Sequence, residues 1–231
     1  MGFWSSLGNA VSSVCSSLCS VCRSLVTPGL EIGLKIIGPI LKAVTTLLLD
    51  ICKALGVDVE GKDVEDGKLG VMIEDTKDTV KPEDYDSTAE YIKAVKEKAD
   101  MGAVNEKMET LSKEQKEAYK LVCVSALNKI ASEELGVKPD LKFYTRATEM
   151  ELDSQQTIKL VQGLKEHGIE DLADVSSYLD GDLDFEKMDQ VDEALKDSLS
   201  KIDPDLKTDE QKESALNERL HKMEEKKKEE N

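Results

Sequence analysis

Two stripes of apolar side chains at helical spacing occupy the first 57 residues of the chain. Apolar residues that recur every three or four positions share one face of an α-helix. Pro28 and Gly29 lie between the stripes, and such a pair ends one helix and permits a turn. The pattern therefore predicts a helical hairpin over residues 1–57. The first stripe comprises Trp4, Leu7, Val11, Val14, Cys15, Leu18, Val21, Cys22 and Leu25, and the second comprises Ile37, Ile40, Leu41, Val44, Leu47, Leu48, Ile51, Cys52 and Leu55.

The two stripes need a surface to cover them, and the sequence leaves three open: lipid, a second copy of the chain, or the rest of the same chain. About nine apolar groups on each helix would gain on the order of 10 kcal/mol gross from half burial at a bilayer interface. Each basic residue near anionic lipid adds only about 1 kcal/mol. Membrane or self-association is therefore predicted for Phe3, Trp4, Leu7, Val11, Val14, Leu18, Val21, Ile37, Ile40, Leu41, Val44, Leu47, Leu48, Ile51 and Leu55.

The N-terminal segment does not read as a conventional signal peptide or as an ordinary transmembrane helix. Its first basic residue is Arg23, so no basic region precedes the apolar stretch. The longest apolar run, residues 36–49, is interrupted by Gly38, Pro39 and Lys42 and is shorter than the roughly 20 residues that a span requires. We expect membrane association from the cytoplasmic side, or export without a conventional signal peptide.

Charge separates this segment from the rest of the chain. Residues 1–57 contain four basic and two acidic residues, a net charge of +2. The whole chain has a net charge of −17, which leaves −19 for the other 174 residues. Because so acidic a body repels phosphate backbones, no nucleic-acid partner is predicted. The acidic body is instead expected to present its surface to a protein partner, while self-association of the N-terminal stripes would give a homo-oligomer.

The remainder of the sequence predicts an all-α fold. Aromatic residues make up only 4% of the chain, which suits helical packing by aliphatic side chains. Capping-box pairs mark three helix starts: Ser87 with Glu90, Ser112 with Gln115, and Asp153 with Gln156. Gly136 and Gly168 are expected helix ends. Residues 141–145 read as a short element, either strand-like or extended.

Composition divides the chain beyond the hairpin into three further parts. Residues 58–86 are rich in charged residues and glycine with few apolar ones, and they predict an acidic linker with one short helix near residues 69–78. Residues 87–203 contain the helical patterns and predict a small acidic all-α domain. Residues 204–231 have a thin apolar stripe and end in a run of charged residues, which predicts a charged helical tail that frays.

Three cysteines, Cys15, Cys19 and Cys22, have the spacing that can hold three irons of a four-iron cluster. That chemistry needs an α/β barrel around the loop, which this all-helical pattern does not provide. Zinc is equally disfavoured because the two histidines, His167 and His221, are remote in sequence. We therefore predict no cofactor and interpret the cysteines as small helix-interface residues or as candidate sites of acylation.

Two further motifs are weak. Gly2 stands in a myristoylation-like start, although the bulky Phe3 and Trp4 could instead anchor at a lipid interface. Residues 180–184 alternate carboxylates as a calcium loop does, but Phe185 stands where that loop needs glycine. Acidic residues at a helix N-terminus explain the pattern better.

No nucleophile–base set and no phosphate-binding glycine loop occurs in the sequence. We therefore predict a non-enzymatic protein that attaches to a membrane through its N-terminal amphipathic helices and presents an acidic helical domain to a protein partner. The alternative is a secreted or membrane-permeabilising effector whose hairpin oligomerises in a bilayer. A second alternative is a metal-dependent or Fe–S enzyme that uses the cysteine triplet.

Overall fold

A computed structural model describes the backbone of residues 30–229 and the side chains of residues 41–113 and 115–226. Over this range the chain forms eleven α-helices and one 3-10 turn, with a single isolated bridge between Lys138 and Asp171 and no strand. The predicted all-α class is confirmed. The predicted helix over residues 1–25, with the cysteine triplet, lies outside the described residues, as do the side chains of Ile37 and Ile40.

The chain divides into two compact units, residues 1–133 and residues 134–231. The boundary falls within the last turn of a 23-residue helix, α6. The first unit contains α1 (Leu30–Ala54), α2 (Gly61–Glu65), α3 (Lys68–Thr76), a 3-10 turn (Pro82–Asp84), α4 (Thr88–Lys98), α5 (Met101–Thr110) and α6 (Lys113–Leu135). The second unit contains α7 (Leu141–Glu149), α8 (Ser154–Glu166), α9 (Leu172–Leu179), α10 (Phe185–Ile202) and α11 (Asp209–Glu229).

The helix ends follow the local signals in the sequence. At the start of α8, Asp153 N donates to Gln156 Oε1 at 3.1 Å and Gln156 N donates to Asp153 Oδ1 at 2.8 Å, which completes a capping box. Ser112 and Gln115 exchange the same pair of bonds before α6. After α6, Gly136 has a φ of +66°, a conformation that glycine adopts without strain.

The core of the first unit is built on α6. Every residue from 121 to 128 is buried, so this helix has no solvent-facing side over two turns. Helix α1 reaches it through Cys52 Sγ, which lies 3.9 Å from the carbonyl oxygen of Leu127. Helix α3 approaches more closely: Gly70 N donates to Cys123 Sγ at 3.2 Å. A Cβ atom at Gly70 would lie 2.6 Å from the Tyr119 carbonyl oxygen, so the approach requires glycine.

The short helix predicted near residues 69–78 is present as α3 (Lys68–Thr76), but the interpretation of residues 58–86 as a linker is wrong. Residues 61–76 form helices α2 and α3, which pack on each other, and α3 also contacts α4 and α5. Val64, Leu69, Val71 and Ile73 are at most 1% exposed. Charged residues dominate the composition here, and they surround a short continuous apolar run. Because a run that is buried on all sides has no polar face, it shows no helical period in the sequence. Residues 58–86 therefore contribute to the core of the first unit.

The predicted domain over residues 87–203 also needs correction. The predicted helical tail is present as α11, although it packs on the second unit, and the side chains of its predicted frayed end, from residue 227 on, lie outside the described residues. The unit boundary lies after residue 133, within the predicted domain. In the second unit α8 packs on α10, and α11 packs on both α10 and α7. Of the three residues in the thin apolar stripe of the tail, Leu216 and Met223 are each 2% exposed and Leu220 is half-buried. Arg219 Nη1 also donates to the Met150 carbonyl oxygen at 3.2 Å. The tail helix is therefore docked on the second unit although it is strongly charged.

Candidate functional site

Most of the predicted attachment residues of α1 are buried in this structure. The sequence left lipid, a second copy and the chain itself as possible covers, and here the chain covers them. Leu55 is half-buried, and the five residues that are at most 6% exposed are Leu41, Val44, Leu47, Leu48 and Ile51. Their contact with lipid or another copy remains a prediction, which would require α1 to leave its place beside α6.

Neither a membrane span nor a metal cluster occurs in the part of the chain that the structure describes. None of its helices is both long and apolar enough to cross a bilayer. No three His, Cys, Asp or Glu side chains within residues 41–226 are grouped so that they could hold a metal ion. The buried Cys123 thiol has its pKa raised to about 12 by burial, so it is not an activated nucleophile.

Polar side chains in the first unit serve as cross-links between helices. The Tyr119 hydroxyl of α6 donates to the Glu74 carboxylate of α3, and Lys107 Nζ of α5 lies 3.0 Å from Glu74 Oε2. The same ammonium lies 5.6 Å from the centre of the Tyr119 ring. Burial, first of all, and then the Glu74 carboxylate raise the pKa of Tyr119. These contacts join α3, α5 and α6 to one another.

The second unit carries most of the negative charge of the chain. Residues 134–231 contain 27 acidic and 15 basic residues, a net charge of −12 out of −17. Within them, residues 180–193 contain seven acidic residues and one basic residue, a net charge of −6. We call residues 180–193 the acidic junction, because they connect the end of α9 with the first half of α10. Half of the net charge of the unit is concentrated there.

The acidic junction begins in a tight, hydrogen-bonded turn. Gly181 has a φ of +75°, which glycine tolerates, and Gly181 N donates to the Tyr178 carbonyl oxygen at 3.0 Å. Asp182 N donates to the Ser177 carbonyl oxygen at 2.8 Å. These bonds satisfy carbonyl groups at the end of α9 and reverse the chain direction. Helix α10 then starts at Phe185.

Helix α7 clamps this turn through Asp180. Lys142 Nζ lies 2.5 Å from Asp180 Oδ2, and Arg146 Nη2 lies 2.7 Å from Asp180 Oδ1. Arg146 also pairs with Glu149, at 2.6 Å from Nη1 to Oε2. Both carboxylate side chains are only 9% exposed. Within the described residues, Arg146 Nε is buried without a hydrogen-bond partner. The calcium-like pattern of residues 180–184 therefore begins with a carboxylate that two cations already neutralise.

Further bonds tie the two sides of the junction together. The Tyr178 hydroxyl of α9 donates to Asp192 Oδ1 of α10 at 2.5 Å. Lys187 Nζ of α10 donates to both carboxylate oxygens of Asp174 in α9, at 2.8 and 2.7 Å. Polar contacts therefore link the junction to α7 before the turn and link α10 to α9 after it. Such cross-links restrict the conformations of the residues between them.

One large apolar side chain projects from the junction. Phe185 is 81% exposed, while Leu183 and Met188 are half-buried. Sequence spacing predicts Met188, Val191, Leu195 and Leu199 as the buried stripe of α10, and the last three are buried. Phe185 stands three residues before Met188, yet it lies in the first turn of the helix and remains in solvent. No sequence signal distinguished it from the core residues of the same stripe.

The described structure brings together an acidic junction with one exposed aromatic ring, and it buries the α1 portion of the predicted attachment face. Compared with models of known protein families, with curated proteins and with solved structures, the chain matches none.

Proposed function

We propose that the chain is a non-enzymatic tether that attaches to a membrane through residues before Leu41 and presents an acidic helical surface to a protein partner. The observation that carries this proposal is the separation of apolar and acidic character along the chain. The apolar stripes of the N-terminal segment have a net charge of +2, whereas the second unit has −12. Surfaces of such different chemistry suit two different partners.

Burial of the second half of α1 supports an attachment region that lies before Leu41. Leu48 and Ile51 are fully buried, and removing such side chains from a core costs about 1.5–3 kcal/mol each. Attachment therefore falls to the residues that precede Leu41, chiefly the predicted face of Phe3, Trp4 and Leu7. Helix α1 is continuous from Leu30 to Ala54, so it links those residues to the core of the first unit.

The partner side of the proposal rests on uncompensated charge. In the acidic junction Asp182, Asp184 and Glu186 are exposed and form no ion pair with any described residue. An uncompensated acidic surface attracts basic surfaces and raises their association rate in a salt-dependent way. The membrane and partner interactions should consequently respond differently to salt.

Flotation with liposomes of neutral and anionic lipid tests attachment. The full-length chain should float, and the variant L7S/V11S/L18S should not, because the substitutions remove three apolar groups from one face. The control S13T/S16T/S20T keeps the polar face and should float like the original chain. Raising NaCl should have little effect, because apolar insertion dominates over the small positive charge. Failure of the unsubstituted chain to float would refute the attachment.

Dye release from the same liposomes separates quiet attachment from the membrane-permeabilising alternative. A pore built from the hairpin would need α1 to leave the first unit and expose Leu48 and Ile51, which are 0% exposed. We expect flotation without release. Release that scales with bound protein would instead support the permeabilising effector.

A further inference from the structure

We propose that Phe185, together with Leu183 and Met188, forms a docking surface for a basic protein segment that carries an apolar side chain. This inference rests on the proposed function, because it names the site and the chemistry of the partner that the acidic surface would bind. The occupant is a protein rather than a lipid, a nucleic acid or a second copy of this chain. Exposure, rigidity and charge each support that choice.

The exposure of Phe185 is exceptional within the described residues. Its exposed fraction is 81%, and the other large apolar side chain that is clearly exposed is Met101, at 39%. Aromatic side chains are enriched among the residues that dominate protein–protein binding, because each buries a large area with few rotatable bonds. Leu183 and Met188, two residues before and three residues after Phe185 in the sequence, are both half-buried and so also expose apolar surface. A partner side chain could therefore contact an apolar surface larger than one ring.

The acidic junction also holds this surface in place before any partner arrives. Asp180 is clamped by Lys142 and Arg146 on one side of Phe185. On the other side Lys187 pairs with Asp174, and the Tyr178–Asp192 bond closes the junction. A surface that is already ordered loses less conformational entropy on binding than a mobile one does. The exposed ring is thus presented on a fixed backbone.

Charge selects the kind of partner. Five acidic residues of the junction form no ion pair with any residue in the described ranges: Asp182, Asp184, Glu186, Asp189 and Glu193. They would repel anionic lipid headgroups and nucleic-acid phosphates. A second copy of the same junction would bring like charges together. In a partner with lysine or arginine residues beside an apolar side chain, the apolar side chain would contact the Phe185 ring and the cations would pair with the carboxylates.

Binding of two matched peptides to the full-length chain tests the inference. The first is a fluorescein-labelled lysine–glycine peptide with two central leucines, and the second has serine at those two positions. Fluorescence anisotropy gives the Kd of each. F185S should weaken the leucine peptide about tenfold and the serine peptide less than about twofold, because only leucine uses the apolar surface. D182N/D184N/E186Q should weaken both peptides and reduce their dependence on NaCl.

Two control variants change the same chemistry elsewhere. M101S removes the other exposed apolar side chain, and E97Q/E106Q/E109Q removes three exposed carboxylates of the first unit. Both should leave the two Kd values within about twofold of the original, which is less than about 0.4 kcal/mol. Because Phe185 is 81% exposed, F185S should fold normally, and an unchanged thermal unfolding curve verifies this.

The inference is overturned if F185S binds the leucine peptide as tightly as the original chain, or if the control triple weakens both peptides as much as the junction triple. Loss of liposome flotation in F185S would identify the surface as a lipid contact and would also overturn it. The two proposals can fail separately. The variant L7S/V11S/L18S should bind both peptides normally, so a failure of membrane attachment would leave the docking surface intact.

Discussion

At the scale of single residues, buried charge is placed where it fixes helix ends. Arg146 joins Glu149 to Asp180, and so holds α7 against the end of α9. Asp63 is a different case, since it is only 9% exposed and its contact with Lys96 is a long 3.9 Å. The carboxylates of Glu149 and Asp180 each have a cation close by, whereas the cation beside Asp63 is farther away. Substitution should therefore have opposite consequences at the two sites.

Arg146→Met should destabilise the second unit by about 3–5 kcal/mol, because it leaves the nearly buried Glu149 carboxylate without its cation and leaves Asp180 with Lys142 alone. Urea unfolding followed by circular dichroism measures the change. Lys138→Met provides the control, since the Lys138–Asp171 pair is exposed, and its unfolding midpoint should not move. An unchanged midpoint for Arg146→Met would show that the clamp contributes nothing to folding.

Asp63→Asn should stabilise the first unit at neutral pH. Burial, the largest cause, and the nearby Glu60 raise the pKa of the Asp63 carboxyl above its ordinary value of 3.8. A raised carboxyl pKa means that the folded state prefers the protonated form, so its contribution is complete below the unfolded pKa and is lost as pH rises through the folded pKa. The stability difference between variant and original should therefore shrink as pH falls into the acidic range. Urea titrations at several pH values measure it, and a difference that grows on acidification would contradict the assignment.

At the scale of helices, capping residues predicted where helices begin, whereas amino-acid composition did not predict which segments are helical. The capping boxes at Ser112 and Asp153 were recognisable because both partners are close in sequence. Helix α7 was predicted as a short, extended or strand-like element, although Asp140 caps it by accepting hydrogen bonds from Lys142 N and Phe143 N, both at 3.2 Å. Its nine residues are too few for a periodic pattern to be decisive.

Helix α1 yields a prediction about the division between core and attachment. Leu48→Ala should destabilise the first unit by about 2–5 kcal/mol, because Leu48 is fully buried. The neighbouring Leu49 is half-buried, and Leu49→Ala should cost less. Under conditions where both variants remain folded, both should float with liposomes like the original chain. Loss of flotation by folded Leu48→Ala alone would place the attachment on α1 instead.

At the scale of the whole molecule, the two units differ in charge more than in architecture. The acidic excess was evident from the sequence, but its division was not, because the predicted boundaries followed composition. The unit boundary lies inside α6, whereas the sequence signal nearest to it, Gly136, marks the end of that helix rather than a change of unit. The exposed ring of Phe185 could not be predicted either, since exposure of a residue on an apolar stripe depends on which neighbours the fold supplies.

Salt should stabilise the second unit more than the first. The second unit has a net charge of −12 and the first of −5, so screening relieves more self-repulsion in the second. Hydrogen exchange resolved to peptides of residues 30–133 and 134–229, at low and moderate NaCl, measures the difference. Protection should increase chiefly in the second set. Equal increases in both sets would mean that net charge does not control local stability here.

The contact between Cys52 and the Leu127 carbonyl oxygen spans 75 residues of chain. During synthesis, a ribosome that adds about 5–20 residues per second needs roughly 4–15 s to make that interval. Throughout this time the apolar face of α1 has already been made, but the helix that completes its core has not. The nascent chain thus exposes the whole predicted attachment face only briefly, and delivery to a membrane or to a chaperone would have its best opportunity before translation reaches α6.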